Sequence, residues 1–106
     1  MEKHNIFADI PEKIKEELFE DILPGTDIKL ERIVSEGQVT PEGEWLIQGK
    51  NEWVMVLKGY GEILFEDGKV PIKMHPGDHI LIKKGQRHRV VKTDTMNKTV
   101  WLVLHF

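Results

Sequence analysis

A single carboxylate stands at the head of a segment that is otherwise apolar. In residues 49–59, GKNEWVMVLKG, Glu52 precedes a run of tryptophan, valine, methionine and leucine. So apolar a strand is typical of a buried position, and a buried carboxylate loses its hydration unless a partner offsets the loss. Glu52 therefore lies either at an exposed strand end, solvated, or inside the fold beside a partner.

Length and composition limit the possible classes of protein. The chain has 106 residues, with 40% hydrophobic and 31% charged side chains and a net charge of −3, which predicts one ordinary globular domain. Acidic residues outnumber basic ones, so a nucleic-acid partner is not expected. No apolar run reaches the roughly 18–20 residues of a membrane span and no signal peptide is recognisable, which predicts a cytoplasmic protein without membrane contact. The absence of cysteine excludes thiolate metal sites and cysteine nucleophiles.

The first 27 residues predict a short amphipathic helix. Ile10, Ile14 and Leu18 follow the i, i+4, i+8 spacing of one helical face, and Asp9 and Glu12 have the spacing of a capping box. The PGT turn at residues 24–26 ends this pattern. We therefore expect an N-terminal helical segment over residues 1–27 that packs on a single β-barrel domain over residues 28–106.

From residue 28 onward the chain predicts seven or eight short strands. Turn sequences recur every eight to twelve residues, a rhythm typical of a sandwich or a small barrel. In the segment WVMVLK both alternating sets of side chains are apolar, so both faces of that strand should be covered. One short helix is too little to cover a face of the sheet, and we expect a homodimer.

Two spacings resemble the two signature motifs of the cupin family of small β-barrels. Six residues separate Glu52 from Gly59, as in the second half of cupin motif 1, and Gly77, Gly85 and His88 have the intervals of motif 2. The resemblance covers roughly residues 28–106 and implies an all-β, jelly-roll barrel. The chain departs from motif 1 where the family has two histidines, because Leu46 and Gln48 occupy those positions.

The resemblance also implies a site. Glu52 and His88 would be inward-facing metal ligands, Gln48 could supply an amide oxygen, and His105, in phase with Trp101 on the last strand, is our candidate for a fourth ligand. Carboxylate, imidazole and amide oxygen suit a divalent ion such as Fe, Mn, Ni or Zn. Each of these residues also has a structural interpretation, as a solvated acid, a core histidine or a surface amide.

Two functions stay open at this point. One is a metal-dependent enzyme acting on a small polar or anionic molecule, since the family includes dioxygenases, isomerases and decarboxylases. The alternative is a metal-free, non-catalytic module that binds a sugar or a carboxylate, in which Arg87 or Arg89 pairs with an anionic group and Trp45 stacks on the ligand at the barrel mouth. The fold hosts both functions and does not choose between them.

Overall fold

The computed structural model describes all of residues 1–106, and it is all-β with antiparallel pairing throughout. Its eight strands are β1 Leu18–Leu23, β2 Lys29–Ser35, β3 Glu52–Lys58, β4 Gly61–Phe65, β5 Ile72–Met74, β6 His79–Ile82, β7 His88–Thr93 and β8 Thr99–His105. There is no helix in the structure, and so none with the length and hydrophobicity of a membrane span.

The strands form two sheets with the core between them. One sheet has the order β1-β2-β8-β3-β6 and the other has the order β5-β4-β7. Buried apolar side chains from both sheets meet in one cluster, formed by Val54, Val56, Ile63, Met74, Ile82, Trp101 and Val103. The predicted jelly-roll barrel is confirmed.

The turn between β3 and β4 requires a glycine. Gly59 has a φ of 86°, and a Cβ there would come within 2.6 Å of the Lys98 carbonyl oxygen. A side chain is excluded both by the left-handed backbone and by this close approach. The glycine that resembles the end of cupin motif 1 therefore has a local structural reason.

The predicted N-terminal helix is wrong. Residues 1–17 are irregular, and Leu18 begins β1, whose residues pair with β2 from Leu18 opposite Val34 to Leu23 opposite Leu30. A single helix of about ten residues is marginal by itself, and isoleucine and phenylalanine are only moderate helix formers. Pairing with β2 instead satisfies the backbone groups that the sheet edge would leave free.

The irregular N-terminal segment crosses the outer face of the five-stranded sheet. The guanidinium of Arg32 on β2 donates to the carbonyls of Ile6 and Ala8 at 2.8 and 2.7 Å, and to the carboxylate of Glu20 at 2.7 Å. Lys98 donates to the carbonyl of Glu12 farther along the segment. These bonds hold residues 6–12 against the sheet.

Residues 38–48, between β2 and β3, run alongside β7. The Thr40 amide donates to the Val90 carbonyl at 2.9 Å, and Leu46 forms a bridge with His88. Residues 41–48 form no strand beyond this single bridge. The segment closes one side of the barrel.

Candidate functional site

Strand register places Glu52 among ionisable side chains. It is the first residue of β3 and pairs with His105 on β8, which in turn pairs with Lys29 on β2. Burial alternates along β3, with Glu52, Val54 and Val56 turned inward. The period of two therefore puts the carboxylate on the same face as the core valines.

His88 reaches Glu52 from the opposite sheet. Glu52 Oε2 lies 3.5 Å from His88 Nε2, and the two residues are only 7% and 3% exposed. His88 Nδ1 lies 3.0 Å from the carbonyl oxygen of Gln86, so this nitrogen carries a hydrogen and donates it. Nε2 is thereby the nitrogen that faces the carboxylate.

His105 lies on the other side of the same carboxylate. Its Nδ1 is 3.6 Å from Glu52 Oε1, while its Nε2 is 2.6 Å from Glu31 Oε1. Lys29 Nζ then stands 3.7 Å from Glu31 and 3.5 Å from Asp21. The groups form a chain of alternating acids and bases that runs from the buried Glu52 to the surface.

Glu31 belongs to this chain and was not predicted from the sequence. Its side chain is buried and accepts the shortest hydrogen bond to an imidazole in the protein. Period-two alternation in KLERIVS groups Glu31 with Ile33 and Ser35 on one face. That signal could have found Glu31 only with the pairing of β2 and β8 already known, since register decides which face points inward.

The surroundings of His88 shift its pKa. Burial by itself lowers the pKa of an imidazole, but the Glu52 carboxylate and the Gln86 carbonyl stabilise the protonated ring and outweigh it, so the pKa of His88 is raised above 6.5. When His88 is protonated, its Nε2 faces the Glu52 carboxylate at 3.5 Å in a buried environment. The pair lies at the edge of the apolar core.

Glu52 is buried without a strong hydrogen bond to the chain. Both histidine nitrogens lie farther from it than the roughly 2.7–3.2 Å of a well-formed N–H···O bond. Buried carboxylates are normally hydrogen-bonded, so Glu52 is unusual among the buried polar groups of this chain.

A second group of polar side chains lies at the end of β2, around Ser35. Ser35 donates to the carboxylate of Glu17, and the indole of Trp101 donates to the Ser35 hydroxyl at 3.2 Å. Burial raises the pKa of Glu17, and the hydroxyl bond acts in the opposite direction. The carboxyl group is thus fixed in position by the end of β2.

Most of these groups line one pocket of ≈ 560 Å³. A cavity of this size suits a small molecule. Its walls combine apolar side chains with the acids and bases above; the lining residues are Glu17, Phe19, Lys29, Glu31, Ile33, Val39, Thr40, Pro41, Leu46, Gln48, Glu52, Val54, Ile63, Ile82, His88, Val90, Trp101, Val103 and His105.

The structure brings the four predicted metal-ligand candidates together, since Gln48, Glu52, His88 and His105 all line the pocket. It does not bring the three predicted substrate-binding residues into the lining. Trp45 is half-buried outside the pocket beneath the guanidinium of Arg89, whose carbon stands 5.8 Å from the ring centre. Arg87 is exposed and pairs with Glu66 at 3.7 Å.

As arranged, the donor atoms do not fit a resident metal ion. No group of three or more histidine, aspartate and glutamate side chains converges as metal ligands do. One nitrogen of each histidine is already engaged, His88 Nδ1 with the Gln86 carbonyl and His105 Nε2 with Glu31, and the other nitrogen of each stands 3.5–3.6 Å from Glu52. Tight sites for first-row divalent ions use more imidazole or carboxylate groups than this.

Known structures are similar to this chain over its whole length. A protein of Ralstonia eutropha JMP134 that is called a "putative mannose-6-phosphate isomerase" is 40% identical, with a TM-score of 0.95 over 99% of this chain and 97% of that one. A cupin superfamily protein of Desulfitobacterium hafniense DCB-2 is 14% identical, with a TM-score of 0.78 over 100% and 92% of the two chains.

A more distant structure shares the fold alone. The DMSP lyase DddQ of Ruegeria pomeroyi DSS-3 is 22% identical, with a TM-score of 0.69 over 84% of this chain and 46% of the lyase. No match was found among curated protein sequences. The family model described as "Cupin domain" matches residues 33–105. With this match over most of its length and the jelly-roll barrel built around Glu52 and His88, the chain belongs to the cupin family.

Proposed function

We propose that the barrel pocket binds a small polar molecule directly, with Glu52 accepting a hydrogen bond from it and His88 contacting the same group. The observation that carries the proposal is the Glu52 carboxylate, which is buried and lines the pocket, and whose nearest ring nitrogens, on His88 and His105, stand 3.5 and 3.6 Å away. A ligand hydroxyl or N–H group would supply a closer donor.

The charges of the pocket argue against a ligand with a phosphate. Three carboxylates, on Glu17, Glu31 and Glu52, face the cavity, and its one lysine is held by Glu31 and Asp21. The two arginines proposed for an anion lie outside the lining. The name of the 40% identical relative suggests mannose 6-phosphate as a compound to test, but the pocket favours molecules without strong negative charge.

Protein-observed NMR can test the proposal with four hydroxyl compounds: glycerol, mannose, mannose 6-phosphate and benzyl alcohol. We expect at least one uncharged compound to shift the amide signals of pocket residues in a saturable manner. Glu52→Gln should weaken that binding about tenfold or more, because the amide is a poorer acceptor than the carboxylate. Glu66→Gln, which removes an exposed carboxylate, is the matched control. Binding that ignores the Glu52 change would refute the proposal.

The alternative proposal is a divalent ion held by Gln48, Glu52, His88 and His105, with enzymatic chemistry at open metal positions. One observation favours it: a histidine that donates Nδ1–H to a backbone carbonyl, as His88 does, presents Nε2 in the manner of many metal ligands. Metal analysis of protein purified without a metal-affinity tag decides between the two. A stoichiometric ion that is lost in both Glu52→Ala and His88→Ala would replace the metal-free proposal.

The cytoplasmic location and the division at residues 27/28 stay predictions. A division at residues 27/28 separates β1 from the five-stranded sheet to which it is hydrogen-bonded. Expression of residues 28–106 alone would test whether the barrel folds without β1.

A further inference from the structure

Three of the apolar residues that line the pocket differ from the others in their exposure. The acids and bases around Glu52 are buried, whereas three large apolar lining residues are strongly exposed: Phe19 at 62%, Val39 at 46% and Leu46 at 39%. Single exposed apolar residues are common on proteins. Here three of them line the same cavity as the buried Glu52. Together they offer a ligand an apolar contact surface beside the carboxylate.

Leu46 lies directly beside His88. The two residues form an antiparallel bridge in which the Leu46 amide donates to the His88 carbonyl at 2.7 Å and the His88 amide donates to the Leu46 carbonyl at 3.1 Å. Side chains that face each other in such a bridge project to the same side of the sheet. A molecule that reaches the Glu52–His88 pair therefore also contacts an aliphatic wall.

Val39 is held in place by the backbone around it. The Thr93 hydroxyl donates to the Gln38 carbonyl at 2.8 Å. On the other side, the Thr40 amide donates to the Val90 carbonyl and the Val90 amide donates to the Thr40 hydroxyl, each at 2.9 Å. Hydrogen bonds on both sides of Val39 fix its position before a ligand binds. A preformed apolar surface costs less conformational entropy on binding.

Phe19 completes this surface from the opposite edge. It pairs with Ile33 on β2, two residues from Glu31, and both Phe19 and Ile33 line the pocket. At about 3.4 Å per residue, the position of Phe19 lies roughly 7 Å along the strand direction from that of Glu31. A compact ring or short alkyl group spans this distance.

We infer that the ligand of this pocket is an uncharged alcohol with a compact apolar body, whose hydroxyl contacts Glu52 and His88 while its body rests on Phe19, Val39 and Leu46. The hydroxyl contact rests on the proposed function; the apolar contact rests on the three exposed residues. A hydroxyl both donates and accepts, so one oxygen can donate to Glu52 and accept from the Nε2–H of an imidazolium at His88, whose Nε2 stands 3.5 Å from Glu52. An ammonium group cannot accept, and a sugar would press unpaired hydroxyls against the apolar residues.

The test compares benzyl alcohol with mannose by NMR titration of the full chain. Benzyl alcohol should bind at least tenfold more tightly, and Phe19→Ser and Leu46→Ser should each weaken it about tenfold, because each removes apolar contact area. Leu81→Ser changes a leucine of similar exposure on the outer face of the five-stranded sheet and should leave the binding of benzyl alcohol unchanged. Well-dispersed spectra establish that the variants are folded.

The outcomes separate the two claims. If mannose binds more tightly and Glu52→Gln abolishes its binding, the apolar body is wrong and the proposed function stands. If benzyl alcohol binds equally well to wild type, Phe19→Ser and Leu46→Ser, the inference is overturned, because the ligand then does not rest on these residues. If no compound shows a dependence on Glu52, the proposed function fails and the hydroxyl contact fails with it.

Discussion

The two faces of β3 have almost the same composition and opposite surroundings. Val54 and Val56 are buried between the sheets with Glu52 at their head, while Trp53, Met55 and Leu57 are half-exposed on the outside. Glu52, the only buried charged residue of β3, lies on the inner face and lines the pocket. Hydrophobicity alone therefore does not distinguish the face that forms the site from the face that does not.

The outer face is itself divided. The N-terminal segment lies over one part, where Arg32 is bonded to it and Val34 and Val100 are completely buried. Beyond that segment the same sheet presents side chains that are not fully covered, namely Leu30, Trp53, Met55, Leu57, Leu81, Leu102 and Leu104. The difference shows that coverage of this face depends on a particular contact with the segment.

The largest expected effect separates the inner and outer tryptophans. Trp101→Ala removes a buried core side chain and should lower the free energy of unfolding by about 3–5 kcal/mol. Trp53→Ala removes a half-exposed ring and should cost about 1 kcal/mol. Urea denaturation at low protein concentration measures both without a contribution from self-association. Equal losses would contradict the assignment of the two faces.

The covered part of the outer face depends on Arg32. Arg32→Ala removes three charge-assisted bonds and should lower stability by about 1.5–3 kcal/mol. It should also speed hydrogen exchange in the N-terminal segment more than in the barrel. Arg87→Ala is the control, because its exposed pair with Glu66 should contribute less than about 1 kcal/mol. A uniform rise in exchange across both regions would count against a local anchor.

The open part of the outer face should bind a second copy of the chain. Light scattering should show a mass that rises with concentration toward a dimer, and Leu81→Glu should raise the dimer dissociation constant at least about tenfold, because it buries a charge in the contact. Val70→Glu adds the same charge at an exposed turn away from this sheet and should change nothing. A monomer mass at every concentration would show that this face stays open to solvent.

Much of the fold was predictable, because turn residues and motif spacing act locally. The glycines and the intervals from Glu52 to Gly59 and from Gly77 to His88 carry that information in the chain itself. The helix expected around Ile10, Ile14 and Leu18 was wrong because that region is decided by a distant element. Without β1, strand β2 would have an unpaired edge, and no local pattern in residues 1–23 indicates that these residues pair with it.

The site was only partly predictable for the same reason. Gln48, Glu52, His88 and His105 could be proposed from spacing and phase, and all four line one pocket. Glu31 required the register between β2 and β8. The apolar lining residues carry no local signal, since an exposed Phe19 on an edge strand has the same sequence pattern as a buried one.

The smallest expected effect concerns the inner face alone, and it is measured on the His88 ring. Glu52 stabilises the imidazolium and so opposes the lowering of the pKa of His88 by burial. Glu52→Gln removes that stabilisation and should lower the pKa of His88 toward or below 6.5. An NMR titration of the ring in both proteins measures this shift. Asp67→Asn, in the exposed turn after β4, removes a carboxylate outside the pocket and should leave the pKa of His88 unchanged.

The same shift has a consequence for stability. In the wild type the pKa of His88 is higher in the folded chain than the 6.5 of an unperturbed histidine, so the folded state binds the proton more tightly than the unfolded state does. This contribution is fully present below pH 6.5 and is lost as the pH rises through the folded-state value. Glu52→Gln should flatten that loss, which chemical denaturation on either side of the transition can measure. If the pKa of His88 and the pH dependence are the same in both proteins, Glu52 does not act on His88 across the barrel, and the carboxylate is only a solvated group at the end of an apolar strand.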